Sequence, residues 1–399
     1  MRTGWQIGSL FGIPLFLDTS WFLILFFITL LYGSFFQNQL GLGPLAFVVG
    51  FLLALLLFVS VLLHELGHSL AAQAQGIKVN SITLFIFGGI ASIDKESKTP
   101  EKAFQVAIAG PLVSFGLYLI MTLSSLISLL PEVAQIVVSR VAEMNLVLTL
   151  FNLIPGLPLD GGQVLKAAVW KATGSRTQGV RWAARVGQAL GWTAIILGLF
   201  AYLATQRLDL LWIALIGWFA VSNASAYSRV TDLQEAIASL NASEAMVREF
   251  RVVDADMSLR QFADQQLLQE GRPPVYFAAS NGRYRGMVSI DDLREVERSQ
   301  WESRTLHSVA HPLTEIPSVR ERASLPEVIE KLEALKLSRI TVLTPADAVG
   351  GVIDRGDIVR ALAQKMNLPI SEAVIQRIKE EGAYPPGLQL QVIAKATAE

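Results

Sequence analysis

The chain holds four histidines, and two of them stand in the pattern His64-Glu65-Leu66-Gly67-His68. On a helix, residues four apart share a face, so both imidazoles can reach one Zn²⁺. Glu65 sits beside them as a carboxylate able to take a proton from a water that the metal acidifies. A bare pentapeptide of this kind also arises by chance in soluble helices, and its setting carries the reading. It follows directly on residues 19–63, which contain no Asp, Glu, Lys or Arg. Two imidazoles and a carboxylate are costly to bury in such surroundings and mark function. The other pair, His307 and His311, also lies four apart, but beside Pro312 and with no acid in a matching pattern. Those two read as solvated linker residues rather than as a second metal site. With no cysteine in the chain, the third ligand should be a carboxylate from the apolar part. Asp160 is the best candidate. It follows residues 151–159, an apolar run broken by Pro155 and Pro158. Prolines unwind helices, and irregular backbone at membrane depth is tolerated where it lines a protein cavity. Gly161-Gly162 would then permit close approach to the metal. The competing reading of Asp160 is a helix N-cap outside the membrane.

The elements that must position these residues are apolar ones. Apolar residues make up 52% of the 399, charged residues only 17%, and the mean hydropathy is +0.45. An ordinary soluble domain carries more charge. Stretches 103–131, 144–159, 186–206 and 210–228 are also free of charge, whereas charges become frequent after residue 229. A membrane part followed by a soluble part is implied, and the length allows two or three domains. A transmembrane helix needs about 20 mainly apolar residues. Candidates are 19–37, 44–72, 103–129, 136–153 (interrupted by Arg140 and Glu143), 187–205 and 209–227. Residues 77–94 alternate apolar and polar around Gly88-Gly89 and predict a β-hairpin, with 5–17 as a further strand beside it. Lys78, Lys95, Lys98 and Lys102 in one loop, and Lys166, Lys171, Arg176, Arg181 and Arg185 in another, contrast with the alternate loops 38–43 and 130–135, which hold no Lys or Arg, and with a lone Arg207 in the last. That asymmetry places both termini in the cytoplasm. His64 then lies roughly 30 Å from the outer end of its span, near the cytoplasmic side, at 1.5 Å per residue. The net charge of −1 gives no support for nucleic-acid binding. No signal-peptide cleavage pattern is visible, so the first apolar segment is expected to be retained.

The soluble part contains an internal repeat. Val252-Val253, a helix near 258–269, Pro274 to Phe277 and Gly286 to Leu293 form one unit. A helix near 324–336, Arg339 to Leu343 and Gly351 to Val359 form the other. The expected organisation is a membrane domain at 1–228, a linker helix at 229–242, repeats at 243–300 and 301–365, and a tail at 366–399. The tail reads as a short helix plus loosely ordered residues.

The His64 to His68 pentapeptide at the end of an early span resembles the site-2 protease family of intramembrane zinc metalloproteases. So does the run Asn152 to Gly162, some ninety residues later. Gly88-Gly89 matches that family's glycine pair, and Ala109-Gly110-Pro111 its Ala-Gly-Pro. A membrane core followed by paired cystathionine-β-synthase-type (CBS) modules is one layout of the family. The resemblance implies a polytopic α-helical membrane domain with a small membrane-associated β-sheet, followed by a cytoplasmic α+β CBS pair. It implies His64, His68 and Asp160 as ligands of one Zn²⁺, Glu65 as catalytic base, and Asn152 as a residue that holds substrate or the oxyanion. Asn145, seven residues earlier, would line the same cavity. Gln163 departs from the family's frequent Arg or His after Asp-Gly-Gly, which leaves the ligands untouched.

The implied substrate is a single-pass membrane protein such as an anti-sigma factor, cleaved within the lipid bilayer of a prokaryotic plasma membrane. A substrate helix hides its carbonyls, and pairing with the 77–94 hairpin, where Gly88 and Gly89 lie, would unwind it. In nucleotide-binding CBS pairs a Ser/Thr-x-x-Asp pattern holds adenosine. Ser289 and Asp292 fit it, whereas Asp354 stands in the hydroxyl position before Asp357 and would repel a phosphate. At most one good adenine-nucleotide site per pair is expected, and a structural module that homodimerises or docks is the competing reading. Rival functions are a CBS-gated divalent-metal transporter, which gives no reason for Glu65, and an inactive scaffold.

Overall fold

The computed structural model describes residues 4–86, 88–125, 131–266, 275–385, 388, 390–391 and 393–394. The chain divides into two compact units, Met1–Thr231 and Asp232–Glu399.

The first unit opens with strands β1 (Trp5–Leu10) and β2 (Ile13–Leu17), then helices α1 (Thr19–Leu40) and α2 (Leu45–Ala74). Strands β3 (Val79–Phe85) and β4 (Gly88–Ile93) follow, then α3 (Pro100–Ser125), α4 (Glu132–Asn152), α5 (Asp160–Thr173), α6 (Arg176–Thr205) and α7 (Leu211–Ser239). Among the described residues, six helices are long and apolar enough to cross a membrane: α1, α2, α3, α4, α6 and α7, the last counted from Leu208. Residues 126–129 of the third expected span lie outside the described residues. The fourth span accommodates its charges internally, because Arg140 pairs with Glu143 at 2.7 Å and lies over the Phe35 ring. Asp18 caps α1 by accepting from the Ser20 amide at 2.9 Å and its hydroxyl at 2.6 Å. Helices α1 and α2 approach closely where Gly50 faces the backbone of Gly33.

The expected hairpin at 77–94 is present as β3 and β4, joined in one sheet of order β1-β2-β3-β4. Residues 5–17 supply two strands rather than one. Gly12, at φ +78°, makes the turn between them, and β2 pairs parallel to β3 with Leu15 opposite Ile82 and Leu17 opposite Leu84. Alternate residues Ile13, Leu15 and Leu17 point inward with Ile82 and Leu84, onto Phe58 and Leu66 of α2. The sheet therefore rests on the helix that carries the histidine pair, with β4 as one edge.

In the second unit, α8 (Ala242–Ala245), β5 (Phe250–Asp254), α9 (Leu259–Gln266), β6 (Val275–Ser280), β7 (Arg283–Val288) and α10 (Ile290–Arg294) form the first repeat. The second contains β8 (Ser318–Arg320), α11 (Leu325–Ala334), β9 (Arg339–Leu343), β10 (Val349–Asp354) and α12 (Arg355–Lys365), followed by α13 (Glu372–Glu381). Each repeat has a three-stranded sheet, β5-β6-β7 and β10-β9-β8, with one parallel and one antiparallel pairing. The unit boundary falls inside α7, which runs unbroken through 229–239, the first part of the expected linker helix.

The described residues of the tail pack into the second repeat more closely than its composition suggests. Ile375, Ile378, Leu390 and Ala394 are buried in the core of the second repeat with Leu332, Ile353 and Ile358. Lys379 is buried too, its ammonium 2.7 Å from both Glu249 and Asp357 and 3.9 Å from Asp354. Burial opposes the charge on Lys379, but hydrogen bonds to Asp357 and Glu249 outweigh it and raise its pKa. Pro386 and Gly387 lie outside the described residues.

Candidate metal centre

His64 and His68 sit one turn apart on α2, both buried, with their ring planes crossed at 79°. Asp160 is the first residue of α5, and Leu159, not Asp160, is the residue that precedes the helix as its cap. Its Oδ2 lies 3.0 Å from His64 Nε2 and 3.2 Å from His68 Nε2, and the two Nε2 atoms are 3.3 Å apart. The three residues thus converge on one point across a separation of 92 to 96 residues in the chain.

The segment that delivers Asp160 is irregular but not unsatisfied. After α4 ends, Gly156 N–H donates to Ile154, Leu157 N–H to Ala183 of α6, and Leu159 N–H to Gly156. Leu157 is buried against Val180, Ala183 and Ala184, which ties the segment to α6. The Leu157-Pro158 peptide is cis. Gly161 and Gly162 serve a purpose other than the expected approach to a metal. A Cβ on either would strike the backbone of Leu153 to Leu157, so these glycines let the irregular segment fold over the first turn of α5.

Orientation of the imidazoles comes from one face of α3, at spacings of four. The Val106 carbonyl lies 2.7 Å from His68 Nδ1, and Ser114 Oγ lies 2.9 Å from His64 Nδ1. Between them Gly110 leaves room for His68, because an added Cβ would overlap the Nε2 atom. A carbonyl can only accept, so His68 Nδ1 carries the proton, and in the neutral ring Nε2 is an acceptor. It then faces the carboxylate oxygen of Asp160, another acceptor. One metal cation at the centre would satisfy all three atoms at once. The separations agree with this, since tetrahedral zinc with N and O ligands at about 2.1 Å sets them about 3.4 Å apart. The donor set is the two-His-plus-carboxylate type that leaves a fourth position open. Backbone and hydroxyl partners on the far ring nitrogens are what metal-ligating histidines have. The residues fit zinc.

Glu65, half-buried, turns toward β4, where a Cβ on Gly89 would strike its Cγ. Gly88, at φ +130°, begins the strand and faces open space. Asn152 donates its Nδ2 to the Leu148 carbonyl at 3.0 Å. Asn145 is fully buried, donates to Ser60 at 2.9 Å and to Val141 at 2.8 Å, and leaves Oδ1 without a partner. Ser60 is one turn before His64, so Asn145 joins α4 to α2 beside the cluster. Val106, Gly110 and Ser114 were not singled out as site residues by sequence reasoning. Only Gly110 carried a signal, within Ala109-Gly110-Pro111.

In the second unit, Ser289 and Asp292 form a capping box on α10, with Ser289 N–H donating to Asp292 at 2.7 Å. Asp354 and Asp357 do the same for α12. His311, expected to be a solvated linker residue, lies with Nε2 3.1 Å from Asp292 Oδ1.

Among the described residues, six membrane-capable helices and a largely buried cluster of metal-ligand type beside a Glu are the features of a metallopeptidase integral to the membrane. Residues 52–138 and 132–194 match peptidase family M50, and residues 242–299 and 308–364 match the CBS domain. The chain is 40% identical to a Synechocystis protein named as zinc metalloprotease sll0528, over 91% of this chain and 96% of that one. It is 30% identical to the Mycobacterium tuberculosis protein named as zinc metalloprotease Rip3, over 91% and 93%. A solved structure of the site-2 protease from Methanocaldococcus jannaschii matches at 32% identity and a TM-score of 0.40, over 57% of this chain and 95% of that one. The chain belongs to peptidase family M50, the site-2 proteases, and is a zinc metalloprotease with a CBS pair.

Proposed function

We propose that the chain hydrolyses a peptide bond in or near the transmembrane segment of a membrane-tethered protein, with His64, His68 and Asp160 holding the zinc. The carrying observation is the three-atom convergence at 3.0, 3.2 and 3.3 Å, with far ring nitrogens oriented from α3. Zinc there supplies Lewis acidity and an acidified water. Glu65 accepts a proton during attack on the scissile carbonyl and delivers it to the leaving amine. The Asn152 amide, released from Leu148, supplies a hydrogen bond to the developing oxyanion. Strand β4 is an edge strand that abuts Glu65 at Gly89, so a substrate segment added to it in extended form has its carbonyls presented next to the base. The basic loops support an orientation with both termini in the cytoplasm of a prokaryotic cell. A single-pass regulator such as an anti-sigma factor fits this substrate class.

Of the two CBS clefts, the first is the one offered for an adenine nucleotide. Ser289 and Asp292 remain half-exposed, whereas Asp354 and Asp357 are buried under Lys379. The same pair of modules suits homodimerisation. The test of the peptidase reading is cleavage of a transmembrane peptide in detergent by wild type and Glu65→Gln. Zinc content is expected to survive while cleavage is lost; full cleavage by the variant would refute the assignment.

A further inference from the structure

Lys166 is a buried ammonium in an apolar unit, and the peptidase chemistry makes no use of it. It lies less than two turns beyond Asp160 on α5, about 9 Å along the axis at 1.5 Å per residue. Its Nζ is 3.0 Å from Glu96 Oε2, and Arg176 Nη2 of α6 meets the same oxygen at 2.7 Å. Glu96 stands in the connection from β4 to α3. That connection is fixed from a second direction. Ser97 donates to Gln75 Oε1 at 2.9 Å, and Gln75 Nε2 donates to the Lys102 carbonyl at 2.9 Å. Gln75 is the residue that ends α2, the helix of His64 and His68. From the remaining side, α6 presses on Lys166, where a Cβ on Gly179 would lie 2.5 Å from the Lys166 carbonyl oxygen. One short connection therefore holds the end of the histidine helix through Ser97 and the aspartate helix through Glu96. It also leads into α3, which orients both imidazoles.

We infer that Glu96 and Lys166 are positioning residues, a brace that fixes Asp160 against His64 and His68. The inference rests on the assignment of those three as ligands. The segment before Asp160 ties the start of α5 to α6 through Leu157, and the Lys166–Glu96 pair adds a second hold farther along α5, against the connection that leads from β4 into α3. Without the Lys166–Glu96 pair, α5 keeps its packing on α3 and α6 but loses one of the holds that fix its offset along α3, and the carboxylate oxygen shifts from the point where both Nε2 atoms meet.

The test uses the full chain in detergent, stripped of metal and titrated with Co²⁺ alone, with absorption bands reporting the ligand set. Glu96→Gln keeps shape and exposure, and Lys166→Met keeps the buried stem. Both variants are expected to bind Co²⁺ about 10- to 100-fold more weakly, the range for groups that orient metal ligands, and with altered bands. Asp160→Asn serves as the reference for a lost carboxylate ligand. Bands unchanged in Asp160→Asn would overturn the ligand assignment itself. Changed bands in Asp160→Asn, with Co²⁺ affinity and bands of Glu96→Gln at wild-type values, would overturn the brace alone.

Discussion

Gly110→Ala is the most informative single-atom change in the membrane unit. The added Cβ would fall on His68 Nε2, the atom that faces Asp160 and His64. Helix α3 has little freedom to retreat from α2, because α4 and α5 pack on its other sides. The imidazole must therefore move. A retreat of about 1 Å is needed to restore ordinary contact, and displacements of that size in a catalytic constellation cost about 10²-fold. That corresponds to about 2.7 kcal/mol of transition-state stabilisation. The assay is kcat/KM on a transmembrane peptide in detergent, with zinc stoichiometry measured alongside. Both are expected to fall, and Ser114→Ala, which removes the Oγ partner of His64 Nδ1, is expected to weaken zinc by about 10- to 100-fold. A Gly110→Ala enzyme with full zinc and wild-type kcat/KM would refute the space-making role of this glycine.

Gly89→Ala pushes on the Glu65 Cγ and not on a ligand, so kcat should fall while zinc content holds; paired loss of zinc would assign the glycine a different role. Lys379→Met leaves Glu249, Asp354 and Asp357 without their shared cation, and removing one partner of a buried ion pair costs about 3–5 kcal/mol. Thermal unfolding followed in the second unit should shift sharply downward; an unchanged transition would show the tail to be dispensable. Asn145→Leu deletes the hydrogen bond to Ser60, of a kind worth about 0.6–2 kcal/mol between membrane helices. A modest fall in detergent stability with zinc retained is expected, and loss of zinc at unchanged stability would contradict the pinning role.

The legible part of the site was the part that acts through side-chain type. His64, Glu65 and His68 announce themselves by identity and by a spacing that a helix turns into one face. Asp160 followed because histidine is scarce and cysteine absent, which left few donors to choose from. The unreadable part acts through backbone or through missing atoms. Val106 contributes a carbonyl that every residue possesses, and Gly110 contributes the space where a side chain would be. Gly161-Gly162 was visible as a close approach, but its partner, the backbone of residues 153–157, could not be told from a metal by sequence.

The same division explains the second unit and the brace. The tail read as a short helix plus loose residues because it carries Pro385-Pro386-Gly387, and Ile375 and Ile378 of that helix face the core at helical spacing. A lysine reads as solvated unless its carboxylates are known, and those come from Glu249, 130 positions earlier, and from α12. Glu96 and Lys166 are likewise 70 positions apart. In the sequence, the lysines and arginines of the loops served only to orient the spans. In the folded chain, two of those same residues, Lys166 and Arg176, converge on Glu96 and secure the helix that supplies Asp160. Charge near a membrane boundary thus answers two demands at once, and only the second depends on the fold.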